Sequence, residues 1–349
     1  MLKIAIVPSH PWHISLGTDQ RVLNLILPLQ KYDVELHYID PYGNVPLTNS
    51  EKLFIHNLKE KAFLSSQFHQ ITYRYTRRMF NNPFWSRILF LSNFFLEETT
   101  TFYAKRIFKV LKQTDFDILF AQHDIAAMAC IKIREKLGIP VLVDLPGVWS
   151  EEMIASGVIR RGSRQADKLI KFDGNIVRNA NVIAVVSDEM RDFLVDRYNL
   201  SPNNVIVLLP SSVPRVSRAK RIRNPSKIVF SGMATYRERL DLLIKAMTIV
   251  SSEYPSARLY LTNKGDILNK IRKLANRLGV YPKYFYFPSP DKFYKFLSEC
   301  HIGVITSSSD LTRLISYPAK LYDYFSVGLP VVANDIGGWT KIIKEKRVG

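Results

Sequence analysis

Cysteine is nearly absent: the 349 residues hold two, Cys130 and Cys300. They lie far apart and have neither metal-ligand nor redox spacing, which excludes a disulfide framework and suggests no zinc site. Such usage fits a reducing compartment. Long apolar runs are missing as well. The longest candidate, Ile88 to Leu96, is broken by Ser92 and Asn93. Nothing approaches the roughly 18 to 20 apolar residues that span a bilayer, so any membrane contact is expected to be peripheral. Acid is scarce beside base, with 31 Asp and Glu against 49 Lys and Arg, a formal net charge of +18. That excess attracts nucleic acid, anionic lipid or a phosphorylated substrate without choosing among them. No nucleic-acid-binding motif accompanies it, so nucleic acid is not expected as a partner. The opening run, Met1 to Pro8, is too short for a signal peptide and reads as a buried strand, which predicts a cytoplasmic protein.

What is present is globular usage, 47% hydrophobic and 23% charged, in a chain longer than one core usually organises. Short runs rich in β-branched and aromatic residues alternate with longer amphipathic segments, the pattern of parallel strands covered on both faces by helices. The first half predicts six strands, at Lys3 to Val7, Val34 to Ile39, Asp117 to Ala121, Val141 to Asp144, Val182 to Val186 and Val205 to Leu209. The second half predicts five, at Lys227 to Phe230, Arg258 to Leu261, Tyr284 to Phe287, Ile302 to Thr306 and Val331 to Asn334. The fold class is therefore α/β, with two doubly wound, Rossmann-like domains at 1–212 and 227–349 and a polar, basic, proline-punctuated linker at 213–226. Two such sheets in tandem are expected to face an interdomain cleft, and open α/β sheets bind ligands at the carboxyl ends of their strands.

The stretch 52–112 breaks the alternation. It is helical by period, crowded with Phe54, Phe63, Phe68, Tyr73, Tyr75, Phe80, Phe84 and Trp85, and basic, with ten Lys and Arg against three acids between Lys59 and Lys112. It reads either as an insertion lying in an anionic membrane interface or as helices covering one edge of the sheet.

Chemistry is densest near the end of the chain. In Ser316-Tyr-Pro-Ala-Lys-Leu-Tyr-Asp-Tyr-Phe-Ser-Val-Gly-Leu-Pro-Val-Val-Ala333, a helix opens near Pro318 and stops near Gly328 before a buried strand. Lys320 in the first turn opposes the helix dipole, which makes sense if an anion such as phosphate also sits there. Asp323, one turn on, either accepts hydrogen bonds from a vicinal diol or forms a plain ion pair with Lys320. This segment resembles the donor-site helix of the retaining GT-B glycosyltransferases of family 4 (glycosyl transferases group 1), in the branch that reads P-x-K-L-x-E-Y and then G-x-P-V-V-A. The resemblance implies that Asp323 holds the ribose of a nucleoside diphosphate sugar. The chain departs from the pattern with Asp for Glu at 323 and with Ile315 where many relatives carry a further Glu.

Other segments follow the same family in order. Ile228 to Ile244 resembles the strand, glycine turn and helix that meet the donor diphosphate, with Gly232 at the turn. Both customary cations are displaced, since Met233 and Glu238 occupy their places, and Arg239 stands where the family has glycine and brings charge from a neighbouring position. Pro8 to Arg21 resembles the glycine-rich loop, with Gly17 as its glycine. Asp117-Ile-Leu-Phe-Ala-Gln-His-Asp-Ile-Ala-Ala127 resembles the motif whose histidine meets the donor sugar, and it puts His123, one place late, where a strand gives way to a helix. Asn179 to Ser187 and Pro210 to Val213 match segments near the end of the first domain. Asp335 to Gly349 resembles the family's glycine pair, here Gly337 and Gly338, whose amides meet the donor. Members usually run on for several more elements, so the second domain is expected to be truncated.

The resemblance implies a hexosyltransferase-type enzyme with a donor of UDP or GDP type and no required cofactor or metal. The sugar moves with retention onto an acceptor hydroxyl as Lys320 and Arg239 stabilise the leaving diphosphate and His123 orients the sugar. The basic aromatic stretch suggests a glycan or lipid-linked acceptor at the cytoplasmic face of a membrane. Two other readings stay open: a non-catalytic GT-B subunit that binds a partner or membrane, and a nucleotide-sugar epimerase.

Overall fold

The computed structural model describes residues 1–9, 21–22, 24–25, 28–40, 50–57, 93–212, 214–215, 226–287 and 289–348. Gly17, most of the aromatic stretch and most of the expected linker lie outside the described residues.

The chain forms two compact units, one holding Leu25–Leu209 with the first strand, the other holding Pro210–Gly349. The first is built on a sheet of seven parallel strands in the order β3-β2-β1-β4-β5-β6-β7: β1 Leu2–Pro8, β2 Val34–Asp40, β3 Leu53–Asn57, β4 Ile118–Gln122, β5 Val141–Leu145, β6 Val182–Val185 and β7 Val205–Val207. Parallel strands need crossovers, and the long helices Asn93–Leu111, His123–Leu137 and Arg164–Asn179 supply them. The inner strands are buried on both faces, with Ala5, Leu119, Ala121, Val141 and Val143 excluded from solvent. This is why they read as continuous apolar runs.

One expectation needs correction: the sheet has seven strands, because the aromatic stretch does not begin as helix. Leu53–Asn57 pairs in parallel with β2, from Leu36↔Leu53 to Asp40↔Asn57. Period two explains it, since Leu53 is buried and Phe54 is exposed enough for its ring to stack on His37 at 4.9 Å.

The second unit carries five parallel strands in the order β10-β9-β8-β11-β12: β8 Lys227–Phe230, β9 Arg258–Thr262, β10 Lys283–Phe285, β11 Ile302–Ile305 and β12 Val331–Ala333. One core packs the helices Leu240–Glu253 and Leu268–Arg277 on one face, through Ile244, Met247 and Ile271. Another lies under the helix Ala319–Ser326, around Leu321, Tyr324 and Trp339.

Both sheets reverse direction beside their first strand, at β1/β4 and at β8/β11. A crevice opens at the carboxyl ends of such pairs, where doubly wound folds take their ligands. Both cysteines are buried. No helix among the described residues is long and apolar enough to cross a membrane.

Candidate functional site

In the second unit, β8 ends at Phe230 and the chain turns through Gly232 with φ 103°, a conformation that favours glycine. A Cβ there would lie 3.2 Å from Lys320 Cε, so the bare glycine lets the lysine stem pass over the turn. A single helical turn, Tyr236–Glu238, follows. The long helix Leu240–Glu253 then starts from Arg239, itself left-handed at φ 40°.

Glu238 is the hub. It is 5% exposed, and its two oxygens take one cation each: Oε1 accepts from Arg313 Nη2 and Oε2 from Lys320 Nζ. Its main chain is pinned as well, with Thr306, just beyond β11, donating its hydroxyl to the Glu238 carbonyl. Burial pushes the Glu238 carboxyl up, but Lys320, Arg313 and Arg237 outweigh that and hold it below the ordinary glutamate value. Lys320 is lowered by burial and by Arg313, against the pull of Glu238, and its ammonium sits 4.4 Å from the centre of the Phe230 ring. The macrodipole argument expected an anion beside Lys320, and the protein itself provides one.

Arg313 comes from the short helix Leu311–Ile315, capped by Asp310, whose Oδ1 accepts from Thr312 N at 3.0 Å. Gly337, with φ 75°, closes over that helix: a Cβ on it would lie 2.8 Å from the Arg313 carbonyl oxygen, so no side chain fits. Gly338 caps the helix Trp339–Lys346. Asn334, just past β12, holds the end of β11 by accepting from Ser307 N and donating to Ser307 O, each at 2.8 Å.

Asp323, one turn beyond Lys320, does not pair with it. Tyr294 donates its hydroxyl to Asp323 Oδ1 at 2.8 Å, and the Arg215 guanidinium stacks 3.8 Å from the Tyr294 ring centre. Burial raises the Asp323 carboxyl to about 6, although Tyr294, Arg215 and Lys320 each pull it down. Arg239 takes no part in the hub. It is an exposed residue whose guanidinium grips Asp241 at 3.0 and 3.1 Å.

The first unit has its own switch point. Ser9, after β1, donates to the Gln122 carbonyl at 2.6 Å and accepts from Ala126 N at 2.8 Å, joining the end of β1 to the helix that follows β4. His123 opens that helix with φ 65° and keeps Nδ1 3.9 Å from Asp124 Oδ2. A left-handed residue other than glycine costs on the order of 1–3 kcal/mol, and such strain gathers at functional sites. Behind it lies an acidic pair, Asp173 buried and Asp124 partly so. Burial raises Asp124 well above its ordinary range and Asp173 to about 7, while Asp173 Oδ2 accepts from Ser150 N at 2.9 Å.

The structure thus gathers Gly232, Lys320 and Gly337 about one hub, with Asp323 a turn away, Gly338 beside Gly337, Arg239 outside it and His123 in the other unit. Reading the sequence alone missed Arg313, Tyr294 and the part played by Glu238. Glu238 carried a signal, an acid between two arginines just before an apolar helix. Among the described residues, no group of three His, Cys, Asp or Glu can hold a metal ion.

Two family models match the chain, Glycosyltransferase Family 4 over 67–211 and Glycosyl transferases group 1 over 225–349. The uncharacterized glycosyltransferase YqgM of Bacillus subtilis is 22% identical over 200 residues, 55% of this chain and 53% of that protein. The chain spans about half or less of the length of the curated relatives it matches. Among solved structures, sucrose-phosphate synthase from Thermosynechococcus elongatus aligns with 98% of this chain and 84% of its own, at 13% identity and a TM-score of 0.67. Anabaena HepE in complex with UDP and glucose aligns with 98% and 83%, at 12% identity and a TM-score of 0.61. With two reversing parallel sheets, family matches in both halves and GT-B enzymes as structural neighbours, the chain belongs to the group 1 glycosyltransferases and has their GT-B fold.

Proposed function

We propose that the protein transfers a sugar from a nucleoside diphosphate sugar to an acceptor hydroxyl with retention at the anomeric carbon. The observation that carries this reading is the convergence of Gly232, Lys320 and Gly337 at the β8/β11 switch point, with Asp323 one turn along the lysine's helix. Asp323 accepts the ribose hydroxyls. Lys320 and the amides at Gly337 and Gly338 face the diphosphate, and Gly232 lets it approach the backbone. Arg239 adds charge at the rim. His123 hydrogen-bonds the transferred sugar, and Gly17 lies in the loop that meets the diphosphate. As the bond from the anomeric carbon to phosphate oxygen breaks, the acceptor oxygen bonds to the same face and its proton passes to the departing phosphate, so the chemistry asks for charge stabilisation rather than a metal. Binding of UDP and UDP-glucose by HepE favours a UDP donor over a GDP one.

The working partition is an acceptor-side domain at 1–212, a linker at 213–226 and a donor domain at 227–349. The basic and aromatic residues interleaved between Lys59 and Lys112 favour a glycan or lipid-linked acceptor at an anionic, cytoplasmic membrane face. Titration with UDP, GDP, ADP and their sugar conjugates tests the donor reading, with Lys320→Ala and Asp323→Ala alongside. Selective binding that both variants lose supports it. Binding of no nucleotide by the unaltered chain favours a second reading, a non-catalytic GT-B subunit, for which the neutralisation of Lys320 by Glu238 already speaks.

A further inference from the structure

We infer that Arg313 is the second phosphate-binding cation of the donor site, standing in for the cations missing at Met233 and Glu238. The inference rests on the donor reading of Lys320 and adds a residue to it. Four observations carry it.

First, Arg313 and Lys320 share one carboxylate, an oxygen each, so Glu238 holds both cations side by side. Second, the Arg313 side chain is only 14% exposed, and its Nε is buried with no hydrogen-bond partner among the described residues. A buried donor left unsatisfied costs free energy, and an oxyanion arriving beside it would recover that cost. Third, the geometry of a guanidinium suits this double duty. Its planar fork can grip Glu238 by one edge and a phosphate by the other, which a lysine ammonium does less well. Fourth, the main chain at 313 is fixed from both sides, by the Asp310 cap and by the closure of Gly337 over its carbonyl.

Lys320, Arg313 and Arg237 crowd about Glu238, with Asp310 beside the two arginines. A phosphate carries charge for these cations to meet, whereas a neutral nucleoside does not. Arg239, the arginine singled out by position in the chain, is a poorer choice because its side chain is 49% exposed and one edge of it already holds Asp241, away from Glu238.

The test separates phosphate recognition from folding and from nucleoside recognition. The nucleosides, monophosphates and diphosphates of uracil and guanine are titrated into the unaltered chain and into Arg313→Gln, Arg313→Lys, Arg239→Gln and Lys320→Ala, with thermal unfolding of each variant. The expected result is that Arg313→Gln lowers the preference for diphosphate over nucleoside by roughly tenfold or more while nucleoside affinity holds, as for loss of a charge-assisted hydrogen bond. Arg313→Lys should keep most of the preference if it folds, and Arg239→Gln should lower it less than Arg313→Gln does. An unchanged preference in a folded Arg313→Gln protein, with Lys320→Ala still losing it, overturns this inference and leaves the donor reading standing. Failure of the unaltered chain to bind any nucleotide overturns both.

Discussion

Gly303 lies flat against the ring of Tyr324: a Cβ built on Gly303 would come within 2.6 Å of Tyr324 Cδ2. The same tyrosine reaches past β11 to accept Ser231 N at 2.9 Å, just before the Gly232 turn. One ring thereby ties the helix of Lys320 and Asp323 to two strands. Gly303→Ala should overpack this contact and destabilise the protein by about 1–3 kcal/mol. Chemical denaturation measures this. A midpoint unchanged from that of the unaltered chain would mean that the ring is not held where it lies.

Asp323 sets a pH dependence for nucleotide binding. Its carboxyl, raised to about 6, must be ionised to accept both hydroxyls of a diol. Affinity for nucleoside diphosphate should therefore fall as pH drops through about 6. Tyr294→Phe removes a hydrogen bond that favours the carboxylate, so it should move this midpoint upward. Titrations from pH 5 to 8 decide the point, and a flat profile in both proteins would detach Asp323 from the nucleotide.

His123 should show stability and activity moving in opposite directions. Its left-handed backbone is strained for histidine and relaxed for glycine, so His123→Gly is expected to hold or raise the melting temperature. Glycosyl transfer should drop by at least tenfold, as for loss of a hydrogen bond to the reacting sugar. If His123→Gly kept full transfer, the histidine would have no part in the chemistry.

How far the sequence alone reaches depends on the distance over which a feature is decided. β8 and β11 are apolar runs buried along nearly their whole length, and such runs announce themselves, as does the shorter Val331–Ala333. β3 has only five residues, one of its pair partners is His37, and it opens a stretch whose aromatic and basic composition points to helix. The Lys320 helix and the Gly232 turn carry local signatures, so their residues were legible one by one. The Glu238 hub was not, because it joins Glu238 to a residue 75 positions further along. Nothing local to Arg313 says that its chain turns back there. Arg239 shows the converse, as a cation in the expected neighbourhood that its own helix start spends on Asp241.

The acidic pair of the first unit predicts the sign of a stability change. Burial raises Asp173 to about 7, with Glu151 adding to the push, and raises Asp124 as well. Groups whose pKa is higher folded than unfolded bind protons more tightly in the native state, so stability falls as pH rises from about 4 to about 7. Asp173→Asn keeps an acceptor for Ser150 N and removes the charge. It should melt higher than the unaltered chain at pH 8 and flatten the slope between pH 5 and 8. Identical slopes for the two proteins would show that Asp173 stays ionised throughout.

The two thiols bear on how such experiments can be run. Cys130 is fully buried, and burial pushes the Cys300 thiol up to about 12, so neither offers a thiolate to a maleimide or a mild oxidant at neutral pH. The natural chain is already a silent background for site-directed labelling. Ile249→Cys, on the exposed face of the Leu240–Glu253 helix, would supply the one reactive handle, ready for a fluorophore or spin label with neither native cysteine removed.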